Sequence, residues 1–171
     1  MSMISEGFLG STAPTLLGGK SLLSLSSMSD ARREDLSFLL PLSGDYPGIE
    51  GWFIQKVVVG EFIGTRHIFR IERDGRLVAL GIAKNEAGER KICTVRVHPS
   101  YVGRGLGVRV FDQLLYWLQT DKPVLTVSEH NLPKFQRLFD HYGFMQTSRA
   151  PNLYKEGVTE LAYNEVQTHW Q

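Results

Sequence analysis

The sequence predicts a mixed α/β fold of the α+β kind, in which a mostly antiparallel central sheet is flanked by helices. Three observations lead there. Residues 67–97 read as successive strands separated by turn pairs, the pattern of a meander. Two later stretches repeat their apolar residues at the helical period, with a short apolar strand between them. At 171 residues and 42% hydrophobic composition, the chain can bury one sizeable core and is short for two domains.

The elements follow in order. Residues 1–20 carry only Glu6 and Lys20 as charges among many Gly, Ser and Thr, and read as a flexible tail ahead of a single domain over 21–171. Leu22, Leu23 and Leu25 suit a short first strand, and Ser29 or Asp30 caps a helix running to about Leu40, where Pro41 stops it. Trp52 to about Val59 reads as a second short helix closed by Gly60, although the β-branched run Val57 to Val59 opposes it. Strands are expected over His67–Arg73, Arg76–Lys84 and Lys91–Val97, with turns at Asp74-Gly75 and Asn85 to Gly88; in the third, Cys93, Val95 and Val97 share a face. Phe111, Leu114, Leu115 and Leu118 mark the buried stripe of a helix that begins after Gly107. Pro123 opens a strand over Val124–Ser128, and a helix follows with Leu132, Phe135, Leu138, Phe139 and Tyr142 inward and Gly143 as its cap. Strands at about Phe144–Ser148 and Thr159–Asn164 complete the order β(αα)βββαβαββ.

Composition narrows the function. Nineteen Lys and Arg against 18 Asp and Glu leave a formal charge of +1, so no global field draws the chain to a phosphate backbone. Its one cysteine, Cys93, forms no internal disulfide, and no Cys/His spacing resembles a zinc site, so no metal is expected. The apolar runs are too short for a membrane span, and the first residues lack the charge and unbroken apolar stretch of a signal peptide. A cytoplasmic protein is the expectation. Gly19-Lys20-Ser21 resembles the end of a nucleotide phosphate loop, but the first glycine of that motif would fall at Pro14.

The chemistry is carried by Val95-Arg96-Val97-His98-Pro99 followed by Val102-Gly103-Arg104-Gly105-Leu106-Gly107, a strand entering an amphipathic helix through a glycine-rich turn. Glycines let backbone turn tightly and approach a ligand, and the first N–H groups of a helix are unpaired donors suited to an anion such as pyrophosphate. The glycines alone also fit an ordinary helix cap. Their spacing is not G-x-G-x-x-G, and Val108-Arg109 stand where a Walker loop needs Lys-Ser or Lys-Thr. The segment resembles the acyl-CoA loop of the GNAT superfamily of N-acetyltransferases, with Val97-His98-Pro99 as the strand end and Gly105-Leu106-Gly107 as the last part of the loop. Val102 departs from the Gln or Arg usual there. Leu138-Phe139-Asp140-His141-Tyr142-Gly143-Phe144 resembles that family's helix end before a Gly-Phe step, and the likeness spans about residues 21–164.

The resemblance implies acetyl-CoA as co-substrate and direct attack of an amine on its thioester in a ternary complex. It assigns cofactor binding to Val95, Arg96, Val97, Val102, Gly103, Arg104, Gly105, Leu106 and Gly107, the strand binding pantetheine through its main chain. The tyrosine that serves the family as general acid would stand at Phe139, which has no proton to give. Glu129 and Tyr142 are the candidate catalytic residues in its place, with Ser128, His98, His130 and His141 nearby. Glu129 equally suits a solvated strand end, and Tyr142 a packed helix stripe. Arg104 and Arg109 either reach CoA phosphates or simply stand in solvent. Trp52 and Phe53 either shape the acceptor site or belong to the core, and Cys93 in mid-strand reads as a structural thiol rather than a nucleophile. The acceptor is a small-molecule or protein amine; a charged tRNA is not excluded though the charge disfavours it, no membrane is expected, and a homodimer is compatible. A catalytically silent acyl-CoA-binding module is the alternative, motivated by Phe139.

Overall fold

The computed structural model describes residues 2–4 and 25–166. Strand β1 is Ser2–Ile4, helix α1 Asp30–Leu39, α2 Ile49–Trp52 and α3 Val59–Phe62, followed by β2 Arg66–Arg73, β3 Arg76–Glu86, β4 Glu89–Val97, helix α4 Leu106–Leu118, β5 Leu125–Ser128, α5 Leu132–Tyr142, β6 Gln146–Pro151 and β7 Thr159–Tyr163. Two antiparallel sheets result, ordered β1-β4-β3-β2 and β5-β7-β6. A parallel bridge, Lys91 to Val124, joins them where β4 and β5 begin.

Helix α1 starts where expected, because the Ser29 side chain accepts the Arg32 N–H. Of the expected first strand, residues 22–24 lie outside the described residues, while Leu25–Ser27 forms a 3-10 turn instead. Within the segment read as a tail, Ser2–Ile4 pairs with β4. The second helix is longer than expected: α2, a π-helical stretch Phe53–Val58 and α3 run on without a break. Gly60 does not end it. A Cβ there would lie 2.3 Å from Arg66 Cγ, so the missing side chain lets the helix lie close to β2. The wider π turns coincide with the β-branched run that opposed an ordinary helix.

The meander turns as the sequence dictates, with Asp74, Gly75, Ala87 and Gly88 all at positive φ. The face of Cys93 differs from expectation. Ile82 pairs with Thr94 but Ala83 with Ile92, so Cys93 is the extra residue of a β-bulge. It therefore packs with the helices α1 and α2, whereas Val95 and Val97 face α4. The next-to-last strand begins at Gln146 rather than at about Phe144, because the Phe144 ring packs in the core against Phe139.

Two apolar clusters lie on opposite faces of β2, β3 and β4. One holds α4, α5 and the inner residues of β5 and β7; the other holds α1 and the α2–α3 helix. Gly81 fixes the height of α4, since a Cβ there would come within 2.4 Å of Val110 Cγ1 and 2.8 Å of Leu114 Cδ1. The end of β4 and the start of α4 are thus held together from below.

Candidate active site

Strands β4 and β5 start side by side and then part. Ile92 N–H donates to the Val124 carbonyl at 3.0 Å and Val124 N–H to the Arg90 carbonyl at 2.9 Å. Beyond that point no β4–β5 pairing follows among the described residues, because β5 pairs with β7 and β4 with β3 on its far side. The result is a V-shaped opening whose one wall is the second half of β4, immediately after the bulge at Cys93, and in which Ser2–Ile4 pairs with Thr94–Arg96.

At the mouth of this opening the chain leaves β4 through a 3-10 turn, Pro99–Tyr101. His98 fills that turn, its Nδ1 accepting the Ser100 N–H at 3.2 Å. Gly103 and Gly105 adopt φ of +82° and +75°, and the Cβ position of each meets nothing within 4 Å. The backbone is therefore bare on the side where a ligand would lie. Gly105 caps α4 without a side-chain hydrogen bond, which leaves the first N–H groups of the helix to serve an anion. Val97, Tyr101, Val102, Gly103, Gly105, Leu106 and Gly107 line a shallow concavity of about 200 Å³, part of it open to solvent. The donors and open backbone fit a pyrophosphate, and Arg104, stacked over the Tyr101 ring at 5.0 Å, adds positive charge beside it. Of the nine residues expected at the cofactor site, Val97, Val102, Gly103, Gly105, Leu106 and Gly107 line this concavity and Arg104 stands beside it, whereas the Val95 side chain is buried under α4 and Arg96 points to α1.

The candidate catalytic residues are not together. Glu129 is half-exposed at the end of β5, where Arg149 donates to its carboxylate at 2.8 Å. Tyr142 lies on α5, its ring stacked on Phe111 and Phe144 and its hydroxyl donating to Asp112 at 2.6 Å. Burial, and then Asp112, raise the pKa of that hydroxyl well above the tyrosine range. Phe139 is fully buried among Phe111, Phe135, Phe144 and Tyr163. Trp52 and Phe53 are core, and the Cys93 thiol is buried in the same cluster. Arg96 turns from the loop and ties β4 to α1, stacking over Phe38 and donating to its carbonyl.

Sequence reasoning missed a polar face. Leu125, Val127, Leu161 and Tyr163 point toward α4 and α5, so by alternation Thr126, Ser128 and Glu160 point to the opposite side, with Ser128 paired to Glu160. There Thr126 Oγ1 lies 3.3 Å from the Tyr154 hydroxyl, the rings of Tyr154 and Tyr46 approach at 6.0 Å, and Lys155 donates to the Gly44 carbonyl at 2.9 Å. Glu160 is only 2% exposed, and its Oε2 has no hydrogen-bond partner among the described residues. Burial, reinforced by Asp45, pushes its carboxyl up to about 8. Thr94, one residue past the bulge, is fully buried on the same side of the sheet as Ile82.

A strand edge that β5 leaves, followed by a bare glycine loop and a helix head without a side-chain cap, is a site suited to an extended ligand with an anionic end. The family comparison agrees: the model of the acetyltransferase (GNAT) family matches residues 28–144. The chain belongs to the GNAT family and is an acetyltransferase of that type. Solved structures share the fold at low identity. A GNAT-family protein from Desulfovibrio desulfuricans aligns at a TM-score of 0.64 with 13% identity, over 80% of this chain and 92% of its own. A ribosomal-protein-alanine N-acetyltransferase from Brucella melitensis gives 0.62 at 13% identity, over 80% and 94%. An aminoglycoside 6'-N-acetyltransferase solved with coenzyme A gives 0.59 at 12% identity, over 77% and 88%. Among curated protein sequences nothing matches this chain. No helix among the described residues is long and apolar enough to cross a membrane.

Proposed function

We propose that this chain binds acetyl-CoA along β4 and the loop after it, and transfers the acetyl group to a primary amine in a ternary complex. The bare backbone at Gly103 and Gly105, set at the uncapped head of α4, is the observation that carries this reading. The pyrophosphate is received by the N–H groups from Gly103 to Gly107, with Arg104 and Arg109 beside it. The pantetheine arm runs along Val95, Arg96 and Val97 into the opening between β4 and β5.

The amine nitrogen attacks the thioester carbonyl carbon; a C–N bond forms, the C–S bond breaks, and the amine loses a proton. We assign that proton to Glu160 in preference to Glu129, because Glu129 is engaged by Arg149 at the surface while the Glu160 carboxylate is buried beside β5. A base with a pKa of about 8 is matched to an amine proton at neutral to mildly alkaline pH. With phenylalanine at 139, the CoA thiolate takes its proton from water, which a thiol pKa of about 8.5 makes tolerable. Tyr142 then acts as a brace between α5 and α4 through Asp112. The acceptor is a small-molecule or protein amine, as the aminoglycoside and ribosomal-protein enzymes of like fold suggest, and a cytoplasmic setting accords with the single cysteine. Phe139 also supports a second reading, a module that binds acyl-CoA without turnover.

Calorimetric titration with acetyl-CoA, followed by thiol release over a panel of amines, tests both. Binding with amine-dependent release is expected; binding without release under every amine favours the silent module. Gly105→Glu, which puts a side chain at φ +75° and a carboxylate at the helix head, abolishes binding; unchanged affinity rejects the loop assignment.

A further inference from the structure

The N-terminal strand occupies the wall that acetyl-CoA needs. Ser2 pairs with Arg96, Met3 with Val95 and Ile4 with Thr94, antiparallel, on the edge of β4 that β3 leaves free. This pairing begins just past the point where β4 and β5 are bridged, and β1 also touches β5, so it lies inside the V. A strand edge offers one row of N–H and C=O groups, and an extended partner of the right length satisfies it by β-augmentation. Pantetheine is such a partner, an extended arm with two amides. The expected pantetheine contacts, Val95 to Val97, overlap the residues that β1 pairs, Thr94 to Arg96.

We infer that Ser2–Ile4 is an intramolecular competitor of the acyl-CoA arm, an N-terminal strap that must leave β4 before the cofactor seats. This rests on the acetyl-CoA reading given above. The strap is tethered through residues 5–29 to the start of α1, so release does not remove it, and it returns when CoA departs. The apparent dissociation constant of the cofactor is the intrinsic one divided by the fraction of molecules with the edge open; a strap paired in nine molecules of ten weakens binding about tenfold. Cofactor binding in turn frees Ser2–Ile4 from β4, which couples occupancy of the site to release of that strand.

The test compares the full chain with two variants, deletion of residues 1–24 and Met3→Pro, the latter removing a strand N–H without truncation. Acetyl-CoA affinity is measured by calorimetry, and a synthetic peptide of residues 1–8 is added to the truncated protein as a competitor. Both variants are expected to bind acetyl-CoA about tenfold more tightly, the peptide to reverse the gain competitively, and amide exchange in the full chain to show Ser2–Ile4 losing protection as acetyl-CoA is added while Thr94–Val97 keep theirs. If the deletion does not fold, Met3→Pro and the exchange measurement decide. Affinity unchanged or weaker in folded variants, with Ser2–Ile4 still protected in the complex, overturns the strap while leaving the cofactor site intact. Absence of acetyl-CoA binding in every form overturns the cofactor reading itself, and the strap with it.

Discussion

Glu160→Gln separates the pH behaviour of this protein from that of an ordinary acetyltransferase scaffold. The Glu160 carboxyl is raised from 4.5 to about 8, so between those values the folded chain holds a proton that the unfolded chain has lost. Stability is therefore greatest below about pH 4.5 as far as this group is concerned, falls as pH rises through the window, and levels off above about pH 8. At about 1.36 kcal/mol per unit, the full shift sets a ceiling near 5 kcal/mol, and local relaxation with water entry reduces it to about 2–3 kcal/mol. Glutamine keeps the shape of the protonated acid and carries no charge at any pH. The difference in melting temperature between Glu160→Gln and the parent should accordingly grow by about 5–10 °C in favour of the variant from pH 5 to pH 9, at roughly 2–4 °C per kcal/mol. The same variant should lose about 10²–10⁴-fold in kcat/KM, and with it the rise in rate toward pH 8 expected of the parent. Melting curves that stay parallel across pH would refute the buried ionisation, and an unchanged pH–rate profile would remove Glu160 from the chemistry.

Gly81→Ala should lower stability by about 1–3 kcal/mol, because the new methyl meets Val110 and Leu114 inside contact distance; a melting temperature equal to the parent's would contradict the close seating of α4 on β3. Phe139→Tyr should cost about 1–3 kcal/mol by burying a hydroxyl in the aromatic cluster, and leave thiol release unaccelerated; a faster release would show that the ring's para position does reach the thioester. Asp35→Ala should destabilise by about 1–3 kcal/mol in denaturant titration, since it removes a fully buried carboxylate that pairs with Arg32 and with Arg70 Nε at 3.2 Å, while Arg32 keeps Glu61 and Arg70 keeps Glu34 and Glu72; an unchanged midpoint would make the pair incidental.

What was legible in the sequence was what local chemistry decides. Asp74-Gly75 can adopt the two left-handed conformations a tight hairpin needs, Ser29 has the oxygen a helix start wants, and Phe111, Leu114 and Leu118 can share a buried face only as a helix. The loop glycines were legible for the same reason. The bulge at Cys93 was not, because it is set by the register of β4 against β3 and leaves no mark on the Cys93 side chain itself. Glu160 was hidden by its own strand: Thr159–Tyr163 alternates as a half-solvated strand does, and the outward face becomes buried only because turns near residues 46 and 154 close over it. Ser2–Ile4 is too short to carry a period at all, and its partners Thr94, Val95 and Arg96 lie far along the chain.

These unreadable features have one structural consequence in common. Strand β4 serves two masters: Val95 and Val97 face α4, while Thr94 and Arg96, displaced by the bulge, face the side of Glu160 and the α1–α2 layer. The same sequence paired without the bulge would exchange those faces, since side chains alternate along a strand. The cofactor path would then lose its apolar anchorage to α4, and Arg96 would lose its bond to Phe38, although every glycine of the loop remained in place. Register along β4, more than the identity of any loop residue, therefore decides which of its side chains face α4 and which face the α1–α2 layer. A one-residue insertion between Thr94 and Val95, which reverses the faces of Val95 to Val97 against β3, should on this ground abolish transfer while a Cys93→Ala substitution, which keeps the bulge, retains it; transfer surviving the insertion would mean that these faces have no part in placing the reacting groups.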